Sequence, residues 1–317
     1  MPVSDCSLQI QWLQMCTEQI GEDLFLIDLQ TAGYSDLFAS YVLRGSETVI
    51  IDPGPASSIS NLLSGLRELK IQPESVSYVA LSHVHIDHSG CTGTLLRSLP
   101  NAKAIVHPRG ASHLVSPEKL WISSQEVLGQ AAEIFGKPEP VPEDRIVSAS
   151  DSMEFDIGEG AKLKAVETLG HAAHHISFYD SSSGVLFPGD AAGIYLGEFD
   201  VVVPTSPPPF FPNAALDSLR KLLTFKPATL CYTHFGKADQ AMDRLQRHEQ
   251  QVKLWLRIAE DGVRRGENAN IIRERFFAED ETVSRIAPCL KSHPILRMTV
   301  FLNSCDGFIE FARKIAT

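Results

Sequence analysis

Residues 75–90 read SVSYVALSH followed by VHIDHSG. The first half is an apolar run that predicts a buried strand. The strand leads directly into His83, His85, Asp87 and His88, so three histidines and one aspartate fall within six positions. On an extended segment, spacing by two sends His83 and His85 to the same side. After a turn, Asp87 and His88 can point back from the start of the next helix. Neutral imidazole and carboxylate are ligands that suit zinc or iron. The competing interpretation is a set of solvated, idle polar residues at a strand end. It leaves unexplained why an apolar strand should deliver four ligand-type side chains to one place.

Further along, the same arrangement recurs. His171 sits in TLGHAAHHISF (168–178), Asp190 in VLFPGDAAG (185–193), His234 in LCYTHFG (230–236) and Asp52 in VIIDPG (49–54). Each emerges from an apolar run into a segment containing Gly or Pro, or both. Strand ends along one edge of a layered fold are where sites assemble. Asp52 precedes Pro53-Gly54 and reads equally well as a turn residue or as an acceptor that fixes the histidine loop.

The surrounding pattern is αβ and layered. Strands are expected at LFLIDL (24–29), ASYVLRG (39–45), ETVIIDPG (47–54), AKAIVHP (102–108), SMEFDIG (152–158), AKLKAVETLGH (161–171), ISFYD (176–180), GVLFPGD (184–190) and ATLCYTH (228–234). Helices are expected over 59–70, 90–99 and 214–224. Residues 111–144 break the rhythm and read as a helical insertion ended by KPEPVPED. Residues 201–212, VVVPTSPPPFFP, read as a proline-rich apolar loop. From 239 onward the chain reads as helical, with RMTVFLNSC (297–305) ambiguous between helix and strand.

Read together, HxHxDH, a later His, an Asp and a last His, with an aspartate after the early strands, resemble the metallo-β-lactamase superfamily over roughly residues 23–236. The resemblance implies an α/β fold, an αββα sandwich over 20–238, with the helical insertion at about 111–144 and a helical C-terminal extension over 239–317. It implies two divalent metal ions, zinc first and iron or manganese as alternatives. His83, His85 and His171 would hold one; Asp87, His88 and His234 would hold the other; Asp190 would bridge them. Two metals about 3.5–4 Å apart can share a hydroxide that acts as the nucleophile. Asp87 would orient it or shuttle a proton. His175 follows His171 at the spacing of the family's GHxxGH pattern and reads as structural. The family's glycine before it is His174 here, an added imidazole for which a hydrogen-bonded scaffold role is expected rather than metal binding.

Among the superfamily's chemistries, the resemblance points to a lactone or other small carboxylic ester as substrate. The alternatives are a phosphodiesterase or phosphotriesterase, a glyoxalase II-like thioesterase, and a metal-containing binding protein without turnover. The complete HxHxDH set argues against the flavodiiron type, in which glutamate replaces the second histidine. Some lactonases place a tyrosine three residues after the bridging aspartate; here that position is Gly193, with Tyr195 two further on as a candidate catalytic substitute. Arg264-Arg265 and the pair Arg273 and Arg275 could grip an anionic thioester, but a solvated helix face is the simpler reading. Trp121, Phe135, Phe210 and Phe211 are expected either to wall an apolar pocket for a hydrophobic small-molecule substrate or to pack on each other or across a homodimer.

Composition limits the remaining classes. The 317 residues carry 39 acidic and 28 basic side chains, a net charge of -11, which opposes nucleic-acid binding through phosphates. No run of 18 apolar residues predicts a membrane span. The N-terminus lacks a basic stretch followed by an apolar run, so no secretory signal and a cytoplasmic location are expected. The six cysteines (Cys6, Cys16, Cys91, Cys231, Cys289 and Cys305) are scattered and read as reduced thiols. His107, His113, His248 and His293 read as ordinary packing or surface residues.

Overall fold

Apolar runs buried on both faces build two sheets that face each other. The computed structural model describes residues 16–158 and 160–316. One sheet has seven strands in the order β1-β2-β3-β4-β5-β6-β7. These are β1 (Thr17–Gln19), β2 (Leu24–Asp28), β3 (Ala39–Leu43), β4 (Thr48–Ile51), β5 (Val76–Ala80), β6 (Lys103–Val106) and β7 (Ile146–Ser148). The second has six strands in the order β15-β14-β11-β10-β9-β8, formed by β8 (Glu154–Gly158), β9 (Ala161–Glu167), β10 (Ile176–Asp180), β11 (Val185–Phe187), β14 (Thr229–Tyr232) and β15 (Gly236–Ala238). A separate ribbon pairs β12 (Ile194–Leu196) with β13 (Val201–Val203).

On the inner faces, Leu24, Leu26, Tyr41, Leu43 and Ile51 pack against Leu163, Ala165, Ile176, Phe178 and Phe187. The period-two alternation turns Phe25, Ile27, Val42 and Ile50 outward, onto Leu62, Leu66 and Leu95 of the covering helices. Helices therefore lie outside both sheets, which is the αββα layering expected. The covering helices include α1 (Ile59–Glu68), α2 (Ile86–Ser89), α3 (Thr92–Ser98), α4 (Pro108–Val115), α5 (Glu118–Leu128) and α6 (Gln130–Phe135) on one side and α7 (Pro212–Thr224) on the other. The C-terminal part comprises α8 (Ala241–Arg264), α9 (Ala269–Glu279), α10 (Glu281–Ser284), α11 (Ala287–Ser292), α12 (Pro294–Leu296), a π-helix (Arg297–Ser304) and α13 (Cys305–Ala316). RMTVFLNSC is thus helical throughout.

Strand direction gathers the polar residues at one edge. β4 and β5 are parallel, as are β11 and β14. β9 and β11 are both antiparallel to β10 and so run alike. Asp52, His83, His171, Asp190 and His234 each follow the C-terminal end of one of these strands. The two sheets are tied there: Ala39 N–H donates to the Thr233 carbonyl at 2.8 Å.

Several readings change. The segment 201–212 is not all loop, because Val201–Val203 pairs with Ile194–Leu196 across a turn in which Asp200 takes a left-handed φ of 53°. The short strands β1, β7 and β15 are also additions; three residues at a sheet edge carry little periodicity. Cys16, Cys91, Cys231 and Cys305 are free thiols, but Cys289 is disulfide-bonded, which corrects the reading of six reduced cysteines. Cys6 and the N-terminal segment read as lacking a secretory signal lie outside the described residues. Among the described residues no helix is long and apolar enough to cross a membrane.

Candidate metal centre

Beyond β5 the chain bends at Ser82 and is extended at His85, whose ψ of 147° precedes the first turn of α2. His83 and His85 therefore project alike, and α2 returns Asp87 and His88 toward them. His83, His85 and His171 present ligand atoms within 4.8 Å of one another; so do Asp87, His88 and His234, and so do His83, His88 and Asp190. Asp190 stands between the groups, with its carboxylate oxygens 3.2 Å from His88 Nε2, 3.3 Å from His171 Nε2 and 3.6 Å from His234 Nε2. All seven residues named from the sequence as metal ligands converge. His85 is half-buried and the Asp87 side chain is 13% exposed, so the cluster opens on their side.

Hydrogen bonds on the far side of each ring set the tautomers. His171 Nδ1–H donates to the Thr205 carbonyl at 2.8 Å. His88 Nδ1–H donates to Asp52 Oδ2 at 3.0 Å. The Ser82 hydroxyl donates to Asp52 Oδ2 at 2.6 Å, which leaves it to accept from His83 Nδ1–H at 3.0 Å. Each ring thereby turns a bare Nε2 inward. His85 Nδ1 then lies 2.9 Å from His83 Nε2 and 3.1 Å from His171 Nε2, and His88 Nε2 lies 3.2 Å from His234 Nε2. Lone pairs that face each other this closely repel unless a proton or a cation stands between them.

The electrostatics agree with a cation site. Burial, together with the neighbouring imidazoles, holds His83 and His85 well below their ordinary value, so both are neutral donors. Burial alone would raise Asp190, but His88, His171 and His234 hold it well below the usual carboxylate range. Burial opposes a charge on His88, yet Asp190 and Asp87 outweigh it and hold His88 well above its ordinary value. Carboxylates that favour a proton there favour a metal ion equally. Asp190 Oδ1 is buried without a hydrogen-bond donor, and a bridging ligand needs such a free oxygen. The donor set fits two divalent ions.

A family model described as the metallo-beta-lactamase superfamily matches residues 38–234, more than half of the chain. The chain belongs to the metallo-β-lactamase superfamily. It is a metal-dependent hydrolase. Within the superfamily it is similar to the metallo-beta-lactamase fold-containing protein ST1585 of Sulfurisphaera tokodaii, 33% identical over 208 residues that make up 64% of this chain and 74% of that protein. The crystal structure of ST1585 superposes with a TM-score of 0.64 at 25% identity, covering 87% of this chain and 93% of that one. An atrochrysone carboxyl ACP thioesterase of Aspergillus fumigatus is 28% identical over 228 residues, 68% of this chain and 59% of that protein's length.

Within this superfamily framework, Asp52 is an acceptor buried at the base of the centre. Its carboxylate takes the Ser82 N–H at 2.7 Å and the Thr233 hydroxyl at 2.7 Å besides Ser82 Oγ and His88. Sequence reasoning missed Ser82 and Thr233. Their signal is local: each is a small hydroxyl residue placed immediately before a ligand-type histidine at a strand end. His175 closes a second chain. Asp190 N–H donates to its Nε2 at 3.0 Å, its Nδ1–H donates to Thr168 Oγ1 at 2.8 Å, Thr168 bonds Ser177 at 2.9 Å, and Ser177 donates to the Pro188 carbonyl at 3.0 Å. Gly189, with φ 53°, lies inside this chain, where a Cβ would stand 2.6 Å from Ser82 Cβ and 2.7 Å from His175 Nε2.

Other expectations shift. The ring of His174 lies 5.7 Å from that of His85, and its buried Nδ1 has no hydrogen-bond partner. The Tyr195 hydroxyl donates to Asp200 at 3.0 Å and its ring lies between Tyr232 and Arg244, so it is not brought into the cluster. Neither is Gly193 free to carry a tyrosine: a Cβ there would meet the Val203 carbonyl at 2.6 Å and His248 Cε1 at 2.8 Å. Phe210 packs on Phe308 of α13, and Phe211 is 46% exposed. Phe135 is buried behind Phe38, whose ring is 4.7 Å from that of His234. Arg265 pairs with Asp261, Arg273 with Asp306, and Arg275 with Asp261, Glu267 and Glu279, so these cations are held within the C-terminal helices.

Proposed function

We propose that the protein hydrolyses a small carboxylic ester-like substrate, a lactone first, at a dinuclear centre. The observation that supports this best is the convergence of two three-residue ligand sets on one carboxylate, Asp190. In this reading His83, His85 and His171 hold one ion, Asp87, His88 and His234 the other, and Asp190 both. Two such ions, zinc by the preference of a nitrogen and oxygen donor set, would supply Lewis acidity and activate water near neutral pH.

The chain's own residues do the rest. Asp87 is the carboxylate nearest the open side, with Oδ2 3.6 Å from His234 Nε2. It accepts the proton that water gives up on attacking the acyl carbon. It then returns that proton to the departing oxygen as the acyl bond breaks. Asp52, Ser82 and Thr205 fix the rings and take no part in the proton transfer. Leu29, which closes on Gly54 beside the Asp87 backbone, joins Phe38 and Phe135 in a fully buried apolar backing behind the centre. α5 and α6 pack against α2, so the insertion shapes the approach.

A thioester is the second reading. It is favoured by the similarity to a fungal acyl carrier protein thioesterase that spans 68% of this chain. The test is elemental analysis of the purified protein beside hydrolysis of a lactone, a thioester and a phosphodiester. Two equivalents of metal and lactone or thioester turnover that falls at least 100-fold in Asp87→Ala are expected. Turnover of the phosphodiester alone would move the substrate class. Bound metal with no turnover on any of them would leave a binding protein.

A further inference from the structure

The ribbon β12–β13 and the residues that flank it connect to three of the seven convergent residues. It begins four positions after Asp190. The Tyr195 N–H donates to the His234 carbonyl, and the Phe235 N–H returns to the Tyr195 carbonyl at 2.9 Å. Two residues past β13, the Thr205 carbonyl accepts from His171 Nδ1–H at 2.8 Å. The ribbon and its flanks are thus connected to the bridge by chain continuity, to one member of the first set through Thr205 and to one member of the second through Tyr195.

From outside, the ribbon is held by the C-terminal helices. Gln251 on α8 donates from Nε2 to the Val202 carbonyl at 3.0 Å and to Asp280 Oδ2 at 2.9 Å, while its Oε1 lies 3.0 Å from His248 Nδ1. Trp255 Nε1–H donates to the same Asp280 oxygen at 2.8 Å, which fixes the carboxylate that orients Gln251. At the ribbon's turn, Arg244 donates to Asp200 at 2.6 Å and lies 4.9 Å over the Tyr195 ring. Arg285 donates to the Phe199 carbonyl at 2.9 Å. Further on, the backbone of Gly307 in α13 abuts the Ser206 carbonyl so closely that no side chain fits between them.

We infer that the C-terminal helices act as a clamp on the metal centre, with Gln251 and Arg244 as positioning residues that act through β12–β13 on Asp190, His171 and His234. The inference rests on the metal reading above. A ribbon of two three-residue strands is too short to hold its own shape in water. The ligands it carries must nevertheless be held to within a fraction of an ångström for two ions to bind together. Gln251 supplies a buried amide where the outer strand would otherwise expose a carbonyl, and Arg244 closes the turn. The same packing explains Gly193, where His248 and the Val203 carbonyl leave no room for a side chain.

The experiment titrates the metal-free full-length chain with Co2+, following the d–d absorption bands and the affinity by chelator competition. Gln251→Ala and Arg244→Ala are expected to weaken binding about tenfold, the scale on which ligand-supporting residues act, and to change the band shape. Arg244→Lys, which keeps a cation near Asp200, recovers part of the loss. Arg275→Ala breaks ion pairs inside the C-terminal helices without touching the ribbon. It lowers the melting temperature and leaves the Co2+ spectrum unchanged. Wild-type Co2+ binding in both Gln251→Ala and Arg244→Ala, or an equal loss in Arg275→Ala, would overturn the clamp alone. Absence of Co2+ uptake by the wild type would overturn the metal reading and the clamp with it. If Gln251→Ala does not fold, Arg244→Ala tests the same ribbon from its exposed turn.

Discussion

Asp52 Oδ2 and His88 Nδ1, 36 positions apart in sequence, meet at 3.0 Å in the interior. The same carboxylate accepts from Ser82 and Thr233, so one buried side chain joins β4, the histidine loop and the strand end before His234. Asp52 itself adopts a left-handed φ of 46°, a strained backbone that its four acceptor contacts hold in place. Asp52→Asn keeps the shape but can no longer accept from every donor. Metal affinity should fall by roughly 10–100-fold, measured by chelator competition. Unchanged affinity would mean that Asp52 serves the fold and not the centre.

Gly189 gives a sharper separation of fold from site. Its φ is 53°, and a Cβ would collide with Ser82 and with His175 Nε2. His175 Nε2 is the atom that accepts the Asp190 N–H. Gly189→Ala is therefore expected to cost about 1–3 kcal/mol in stability. It should also displace the bridging carboxylate, so that metal content drops below two equivalents even in protein that remains folded. Denaturant unfolding and elemental analysis on the same preparation check both parts.

How much of this was legible in the sequence depends on the kind of signal. The ligand-type residues were readable because each interrupts an apolar strand at a Gly- or Pro-containing turn, and chance rarely places seven so. The αβ layering followed from short apolar runs such as those at β2, β3, β9 and β10 and from the order of strands and helices, but the αββα arrangement itself came from the resemblance and not from the spacing. Ser82 and Thr233 went unread because a hydroxyl at a strand end has many uses. β12–β13 went unread because three residues carry too little periodicity beside a proline run. The Cys289 disulfide went unread because six scattered cysteines with no CxxC spacing carry no pairing signal. Phe210 looked like a pocket wall because its partner, Phe308, is nearly a hundred positions away.

The two adjacent phenylalanines should accordingly separate. Phe210 is buried against Phe308, and Phe210→Ala removes a core ring at a cost of about 3–4 kcal/mol. Phe211 is 46% exposed, and Phe211→Ala should change stability by less than about 0.5 kcal/mol. Denaturation midpoints of the two variants decide this. If Phe211→Ala raises KM for an acyl substrate while its midpoint stays fixed, that ring borders the approach to the centre. An unchanged KM would leave it an ordinary surface residue.

Asp28 predicts a pH dependence away from the metal cluster. Its carboxylate ends β2 and accepts the N–H groups of Gln30 and Asp36 at 3.0 and 3.2 Å. Burial outweighs those hydrogen bonds and raises its pKa to about 6 from 3.8. Because the folded value is the higher one, the folded chain binds the proton more tightly than the unfolded chain does. The contribution is fully present below about pH 4 and is lost as pH rises through 6. A shift of this size corresponds to about 3 kcal/mol. Asp28→Asn removes the titration while retaining one of the two acceptors. The stability of the variant relative to wild type should thus climb between pH 4 and pH 6 and level off above 7. Denaturant midpoints of both proteins at matched pH and matched metal content give that difference directly, since contributions from the centre cancel. A difference that stays flat across this range would show that the buried carboxylate ionises at its ordinary value and that its two backbone donors balance its burial.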